Sequence, residues 1–178
     1  MRLMQPARFG GSELGLDTLM NVVTEIAKGC TSTAWVYSNL ASHSWNIGQF
    51  EMRAQEDVWG TDPDALAATG LAFPCGRAIP VEGGFKLSGK WPFASGIDAS
   101  TWMLVGAMTE LPGRAPERRF FLVPQSQFRS LDNWDTYGLT GTGSHDVEVK
   151  EAFVPDHRSV SAEVFAAGQN LPGATLYE

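Results

Sequence analysis

The sequence is poor in the residues that build metal centres and disulfide frameworks. Its 178 residues include two cysteines and three histidines. Cys30 and Cys75 form no Cys-x-x-Cys pattern, and His43, His145 and His157 are widely separated along the chain. Metal sites usually need closely spaced Cys and His ligands, so we expect no metal. Scarce, unpaired cysteines are also typical of a reduced, cytoplasmic protein.

Signals for charged or membrane partners are missing as well. The net charge is −7 and there is no basic run, so we expect no nucleic-acid partner. The apolar stretches are much shorter than the roughly 20 residues that span a bilayer. Residues 1–6 do not lead into an apolar segment, so we expect neither a secretory signal nor a membrane contact.

The fingerprints of common nucleotide and hydrolase sites do not occur. No Gly-x-x-x-x-Gly-Lys-Ser/Thr loop is present, and no Gly-x-Gly-x-x-Gly follows a strand and opens a helix. Ser95 does not stand in a Gly-x-Ser-x-Gly turn, which disfavours an α/β-hydrolase.

Helical periodicity dominates the first third of the chain. The spacing of apolar residues predicts helices over residues 13–28, 32–47 and 49–59, with Ser12 as the N-cap of the first. Small residues are frequent in the second helix, which indicates close packing against another element.

Short apolar runs separated by Gly and Pro follow Asp62-Pro63, and this pattern is typical of an antiparallel sheet or barrel. The predicted strands cover residues 69–73, 77–81, 85–89, 101–108, 119–123, 128–131 and 146–155. A hairpin loop is predicted at residues 111–116 and a short helix at residues 162–167. Helices followed by a β domain define an α+β fold.

The segment Trp91-Pro92-Phe93-Ala94-Ser95-Gly96 is the strongest candidate for a binding site. Aromatic side chains can cover a flat redox-active ring, a hydroxyl can meet a ring nitrogen, and glycine permits close backbone approach. The alternative is a core tryptophan followed by an ordinary turn.

Two further strings carry polar groups that suit a ligand. Gly and hydroxyl residues alternate over residues 132–147, where a turn can expose backbone N–H groups, although an ordinary hairpin loop is the alternative. On the second helix, Trp35 and His43 are eight residues apart and can face one side. A lone helical histidine can equally be a structural residue.

These strings occur in one order along the chain, and together they resemble the acyl-CoA dehydrogenase superfamily. More narrowly, the chain resembles oxygenase components of two-component flavin-dependent monooxygenases of the p-hydroxyphenylacetate hydroxylase type. The matching strings lie at residues 8–11, 32–36, 43–45, 56–60, 74–78, 88–96 and 138–144. The Thr-Glu-Pro and Trp-Ile-Thr-Asn motifs that acyl-CoA dehydrogenases typically carry are absent from this sequence.

The resemblance implies hydroxylation of an aromatic or phenolic substrate by molecular oxygen through a flavin C4a-hydroperoxide. Reduced flavin, FMN or FAD, would come from a separate flavin reductase. Ser95 would bind the flavin N5 region, and His43, with Trp45 beside it, would hold the aromatic substrate, so that Ser95 and His43 are the implied catalytic residues. The implied flavin-binding residues are Trp35, Trp91, Phe93, Ala94, Ser95, Trp134 and Ser144.

Members of this superfamily are longer than 178 residues, and the resemblance implies a division of the chain to match. Residues 1–62 would be part of an N-terminal helical domain, residues 63–160 a β-barrel-like middle domain, and residues 161–178 a tail toward an absent C-terminal helical bundle. An apolar helix face would then be uncovered, so we expect a homo-oligomer or a complementing helical chain. The alternatives are an acyl-CoA dehydrogenase and a truncated, non-catalytic remnant or subunit.

Overall fold

The structure, a computed structural model, describes residues 1–110, 113 and 115–167. The helices are α1 (Leu16–Gly29), α2 (Thr31–Gly48), α3 (Met52–Trp59) and α4 (Ala162–Ala166). The strands are β1 (Ala67–Gly70), β2 (Gly76–Val81), β3 (Gly84–Trp91), β4 (Trp102–Thr109), β5 (Glu117–Pro124), β6 (Arg129–Ser130), β7 (Val147–Pro155) and β8 (Ser159–Ser161). Residues 111, 112 and 114 of the predicted 111–116 loop, and the tail after residue 167, lie outside the described residues.

The first helix begins later than the sequence predicts. Glu13 has a positive φ of 48°, which a right-handed helix does not allow. The Ser12 N–H donates to the carbonyl of Arg2, so the predicted N-cap at Ser12 is wrong. Gly15, in an extended conformation, precedes the first helical residue instead.

The strands of the described residues form one mostly antiparallel sheet in the order β6-β7-β3-β2-β4-β5-β8. β1 and β2 both run parallel to β4, at its first and second halves. A 3₁₀ turn at Phe73–Cys75 separates them. The predicted strand at 69–73 is therefore shifted to Ala67–Gly70, and Pro74, which lacks an N–H, sits in the turn.

The sheet curls so that its inner face closes on itself. β3 and β5 are three strand spacings apart, which is roughly 14 Å in a flat sheet. The rings of Phe85 on β3 and Phe121 on β5 nevertheless lie 5.3 Å apart between centroids. Both belong to a buried apolar cluster that also takes in Leu87, Met103 and Val149. This curl gives the β domain its barrel-like core.

The helical layer packs on the other face of the sheet. Along β4, Met103 and Val105 point into the inner cluster, while Trp102 and Leu104 point toward the helices. A second buried cluster joins Trp102 and Leu104 to Ile47, Phe50, Ala54, Val58 and Trp59 from α2, α3 and the turn between them. The predicted boundary at residues 62–63 falls between α3 and β1, but the helices and the sheet share this core.

An ion-pair cluster also ties α3 to the end of β7. The Asp57 carboxylate accepts hydrogen bonds from Arg158 Nε and contacts His157 Nε2, both at 2.6 Å. The Arg158 guanidinium lies 5.0 Å from the Trp102 ring centroid. Partial burial raises the pKa of Asp57, but the hydrogen bonds from Arg158 and His157 outweigh this and hold it below its ordinary value. The cluster therefore connects the helical layer to the sheet.

The described part of the chain lacks two features that would indicate a membrane or a metal. No helix there is long and apolar enough to cross a membrane. No group of three or more His, Cys, Asp or Glu side chains is placed there to hold a metal ion.

Candidate flavin site

Trp91 at the end of β3 lies in the core. Its side chain is fully buried, and its indole N–H donates to the Gly106 carbonyl at 2.8 Å. A Cβ atom on Gly70, Gly76 or Gly89 would come within 2.4–2.6 Å of the tryptophan side chain. Three glycines thus make room for this one ring. The structure does not bring Trp91 to the protein surface, and here the interpretation as a core tryptophan fits.

The loop after Trp91 is held against the loop before β7. Ala94 is buried, and its N–H donates to the His145 carbonyl at 3.0 Å. The Gly96 N–H donates to the Thr142 carbonyl at 2.9 Å. Phe93, between them, is 67% exposed and has a φ of 60°. Positive φ is strained for a residue with a side chain and is often found at functional sites.

Ser95 is the centre of a hydrogen-bond chain between these loops and α2. Its Oγ accepts from the Trp35 indole N–H at 3.0 Å and lies 2.8 Å from Ser144 Oγ. Ser144 Oγ lies 2.6 Å from Thr142 Oγ1, whose hydroxyl reaches the Leu139 carbonyl at 3.0 Å. Ser144 and Thr142 are buried, Ser95 is half-buried and Trp35 is half-exposed. The structure therefore brings together three predicted flavin-binding residues, Trp35, Ser95 and Ser144.

Trp134 stands next to Phe93. The two rings meet edge to face, with centroids 6.1 Å apart. The backbone N–H of Trp134 donates to His145 Nδ1 at 3.0 Å, and its indole N–H donates to the Leu139 carbonyl at 3.1 Å. Both ends of the Trp134 residue are thus fixed, so its ring and that of Phe93 form one aromatic wall beside Ser95.

Helix α2 lies close to two glycines of these loops. A Cβ atom on Gly96 would lie 3.0 Å from Val36 and 3.1 Å from Leu40, both on α2. A Cβ atom on Gly141 would lie 3.3 Å from Ser32. The prediction that α2 packs closely on another element is confirmed, since α2 packs on the two loops that carry Ser95 and Ser144 and also on α1.

His43 lies on α2 two turns after Trp35 and has different partners. Its ring is buried, with Nδ1 2.8 Å from the Ala67 carbonyl and Nε2 3.3 Å from Thr69 Oγ1. A carbonyl only accepts, so Nδ1 carries the proton and Nε2 is the acceptor. Burial lowers the pKa of His43 to about 4, although the bond to Ala67 opposes this. His43 is therefore neutral at pH 7 and has a basic nitrogen beside Thr69.

Trp45 is directed elsewhere. Its ring meets Phe165 edge to face at 6.4 Å. It also lines a mainly apolar cavity of about 360 Å³ together with Met4 and Leu16. The contacts described for the two side chains involve different residues, Phe165 for Trp45 and the pair Ala67 and Thr69 for His43.

Sequence reasoning missed two hydroxyls, Thr69 and Thr142. Thr142 lies inside the Gly-and-hydroxyl string of residues 132–147. The sequence pattern therefore included Thr142 but did not indicate that its side chain is buried. Thr69 stands in a predicted strand, and only the fold brings it to His43 on α2. Thr69 thus acts through a residue distant in sequence, whereas the partners of Thr142, Leu139 and Ser144, are close to it in sequence.

The exposed parts of this region suit a flat ring with polar edges. Trp35 and Phe93 present aromatic surface, and Trp134 supports Phe93. The oxygen of Ser95 has a second lone pair that the Trp35 indole does not use. An isoalloxazine needs apolar contact on its faces and a hydrogen-bonding group at N5, so these residues fit a flavin.

Comparisons with known proteins also point to a flavin. No family model matches the sequence. The chain is 39% identical over 175 residues to the flavin-dependent monooxygenase oxygenase subunit HsaA of Rhodococcus jostii, covering 98% of this chain and 45% of that protein. It is 38% identical over 178 residues to the FADH2-dependent resorcinol hydroxylase oxygenase component of a Rhizobium species, covering 98% and 42%.

Solved structures agree with the sequence relatives. The HsaA monooxygenase of Mycobacterium tuberculosis superposes with a TM-score of 0.91 at 35% identity, covering 97% of this chain and 46% of that one. XiaF from Streptomyces, in complex with FADH2 and glycerol, superposes with a TM-score of 0.86 at 31% identity, covering 92% and 41%. The predicted α+β fold of the acyl-CoA dehydrogenase type is confirmed.

The predicted resemblance is likewise confirmed. The chain is homologous, along nearly its whole length, to oxygenase components of flavin-dependent monooxygenases. It spans about 45% of the length of the HsaA protein that it matches.

Proposed function

We propose that this chain forms the flavin-facing part of a flavin-dependent monooxygenase oxygenase component that hydroxylates an aromatic substrate. Reduced flavin, FMN or FAD, would come from a separate reductase, in the cytoplasm. The observation that carries the proposal is the half-buried Ser95 hydroxyl, held by Trp35 beside the exposed Phe93 ring. The names of the relatives support it, since they describe flavin-dependent oxygenases, one of them acting on resorcinol.

Different residues of the chain would contact the cofactor and the substrate. Trp35, Phe93 and Trp134 would contact the isoalloxazine and exclude water from it, and Ser95 would bond to its N5 edge. Trp91 and Ala94 are both buried and would support the site by fixing the position of the loop that carries Phe93 and Ser95. When it is bound, reduced flavin would supply the chemistry that reacts with oxygen.

His43 is proposed to act on the aromatic substrate. Its Nε2 is an unprotonated acceptor at pH 7, and the 3.3 Å contact with Thr69 is long for a hydrogen bond. Such a nitrogen can accept a hydrogen bond from the hydroxyl of a phenol. Trp45, with its separate apolar cavity, is the weaker of the two proposed substrate contacts.

The test is an anaerobic titration of the whole chain with reduced FMN and reduced FAD, followed by oxygen and a set of phenols. We expect binding of one flavin and a hydroxylated product. Ser95→Ala should lower the ratio of hydroxylated product to hydrogen peroxide about tenfold, which is the usual scale for the loss of one positioned hydrogen bond. Ser126→Ala, on an exposed turn, is the matched control and should behave as the wild type.

A second variant separates substrate contact from flavin contact. His43→Ala should lower the yield of hydroxylated product while leaving the affinity for reduced flavin within about twofold. Failure of the wild-type chain to bind either reduced flavin contradicts the proposed function. Equal product-to-peroxide ratios for wild type and Ser95→Ala contradict the role of Ser95.

A further inference from the structure

His145 joins the two loops that carry the aromatic wall, and it does so through two different acceptors. Its backbone carbonyl accepts from the Ala94 N–H at 3.0 Å, next to Phe93 in the chain. Its ring nitrogen Nδ1 accepts from the Trp134 N–H, also at 3.0 Å. The rings of Phe93 and Trp134 meet edge to face. A single residue therefore binds the backbone at Trp134 and beside Phe93.

The partner of Nδ1 decides where the ring proton of His145 lies. A backbone N–H only donates, so Nδ1 presents a lone pair, and the proton of the neutral ring is on Nε2. Nε2 lies 3.7 Å from Asp98 Oδ2 and 3.8 Å from Asp132 Oδ1, and both carboxylates attract an N–H. The His145 side chain is only 12% exposed. The ring is thus oriented from both edges, with Nδ1 toward Trp134.

The segment that leads to Trp134 has further attachments to the chain just before β7. The Leu131 N–H donates to the Asp146 carbonyl at 2.9 Å, and the Asp146 N–H donates to Asn133 Oδ1 at 2.8 Å. Those bonds hold the segment as far as residue 133. The bond to His145 Nδ1 is made by Trp134 itself. Of these bonds, the one to His145 therefore acts most directly on the residue that carries the ring.

We propose that His145 is a positioning residue of the flavin site, whose Nδ1 fixes Trp134 against Phe93 so that the aromatic wall is in place before a flavin binds beside Ser95. This inference rests on the proposed function. A wall that is already ordered loses less conformational freedom when the ligand binds, and such preorganisation strengthens binding. His145 acts through Trp134 and makes no contact of its own with the flavin.

Two substitutions separate the two edges of the ring. The Oδ1 of asparagine is as many bonds from Cβ as the Nδ1 of histidine, so His145→Asn keeps an acceptor for the Trp134 N–H. Glutamine extends its amide to the position of Nε2, so His145→Gln keeps a polar group near Asp98 and Asp132 and moves the acceptor away from Trp134. Both variants keep the backbone carbonyl that binds Ala94. If only the volume of the ring mattered, the larger glutamine would be the better replacement.

The hydrogen bond is tested without flavin, by NMR of the ¹⁵N-labelled chain. The two nitrogens of an N–H···N bond share a scalar coupling, so we expect one between the Trp134 amide nitrogen and His145 Nδ1, together with a ring proton on Nε2. The Trp134 amide proton should move upfield in His145→Gln and stay near its wild-type position in His145→Asn. A ring proton on Nδ1, or equal shifts in both variants, overturns the proposed role of Nδ1.

The effect on the site is tested by dissociation constants for reduced flavin, measured anaerobically. His145→Gln should raise the constant about tenfold, the scale of one lost hydrogen bond, and His145→Asn should stay within about twofold of the wild type. In a Trp134→Ala background, His145→Gln should add less than about twofold, because the ring that it positions is gone. A further tenfold loss in that background, or a greater loss with asparagine than with glutamine, overturns the inference.

These outcomes are distinct from failure of the proposed function. If the wild type binds reduced flavin and His145→Gln binds it equally well, the inference falls and the proposed function stands. If the wild type binds neither reduced FMN nor reduced FAD, the proposed function falls together with the role of His145 toward a flavin, and the NMR result still decides whether Nδ1 holds Trp134.

Far-UV circular dichroism shows whether each variant folds. If His145→Gln does not fold, the wild-type coupling and His145→Asn decide the question. A coupled Trp134 amide with near-wild-type binding by His145→Asn supports the inference, and a loss of about tenfold in His145→Asn overturns it.

Discussion

The indole of Trp35 donates to Ser95 Oγ across 3.0 Å, although 60 residues separate the two in sequence. Trp35 comes from α2 in the helical layer, and Ser95 comes from the loop after β3. The candidate site therefore lies where the two layers meet. Its geometry depends on the packing of α2 against the loop at Gly96, and on the core under that loop. We therefore expect a substitution in the core to alter the geometry of the site through these contacts.

Gly76→Ala tests the core beneath the site. The new Cβ would lie 2.4 Å from the Trp91 ring and 2.8 Å from the Gly106 carbonyl, and both neighbours are held by their mutual hydrogen bond. Such overpacking typically costs about 1–3 kcal/mol. We therefore expect the free energy of unfolding to fall by that amount in urea denaturation followed by far-UV circular dichroism.

Gly29→Ala is the matched control for this change. Gly29 ends α1, and a Cβ atom there would meet nothing within 4 Å. The substitution should leave stability unchanged or raise it by up to about 1 kcal/mol, because alanine has less backbone freedom to lose on folding. Equal losses at both positions would show that Trp91 does not need the space that Gly76 provides.

The kinds and order of elements were predictable because they depend on local pattern. Apolar spacing placed three helices before a run of strands, and the structure has them in that order. Errors occurred where a distant contact decides the backbone. The N-cap at Ser12 failed because Arg2 holds that segment, and the strand at 69–73 shifted because its pairing with β4 ends at Gly70.

The candidate site could be predicted in part for the same reason. Ser95 stood out because hydroxyl, aromatic and glycine residues were adjacent in sequence. Its partner Ser144 is 49 residues away, and nothing local indicates which hydroxyl of residues 132–147 meets it. Trp91 has the same local signature as Phe93 but is buried, because three glycines from three different segments surround its side chain.

The exposed face of α1 predicts self-association. Leu16 and Met20 are one turn apart and 60% and 56% exposed, and Leu16 also borders the apolar cavity at Trp45. Exposed apolar residues on one helix face are typical of an interaction surface. We expect the chain to form a dimer with a second copy at high concentration, measured by sedimentation velocity, and Met20→Glu to weaken it at least about tenfold, since burying an unpaired charge is costly.

Asn21→Glu provides the control for that prediction. It adds the same charge to the same helix, but at the next position, about 100° around the axis from Met20. Asn21 is exposed, so the substitution should leave association nearly as it is in the wild type. A chain that is monomeric at every concentration, or equal weakening by both variants, would contradict an interface centred on Met20.

Acid should destabilise the protein through His43. The pKa of this residue is about 4 in the folded chain, against 6.5 for an ordinary histidine, because the ring is buried. Above pH 6.5 His43 is neutral in both the folded and the unfolded chain, so its titration does not lower the free energy of unfolding. As the pH falls toward 4, the unfolded chain binds a proton that the folded chain does not, so stability is lost. The full loss is about 3 kcal/mol, of which about 1 kcal/mol is reached by pH 5.5.

His43→Gln isolates this contribution from that of the carboxylates, which titrate mainly at lower pH. The variant lacks the titrating group, so the difference in unfolding free energy between it and the wild type should shrink by about 1 kcal/mol between pH 7 and pH 5.5. Urea denaturation at several pH values measures both proteins. If the variant does not fold, an NMR titration of the wild-type His43 ring decides the question. A midpoint near 6.5 would mean that His43 is hydrated and open to solvent, whereas one near 4 means that its Nε2 remains an unprotonated base throughout the physiological range.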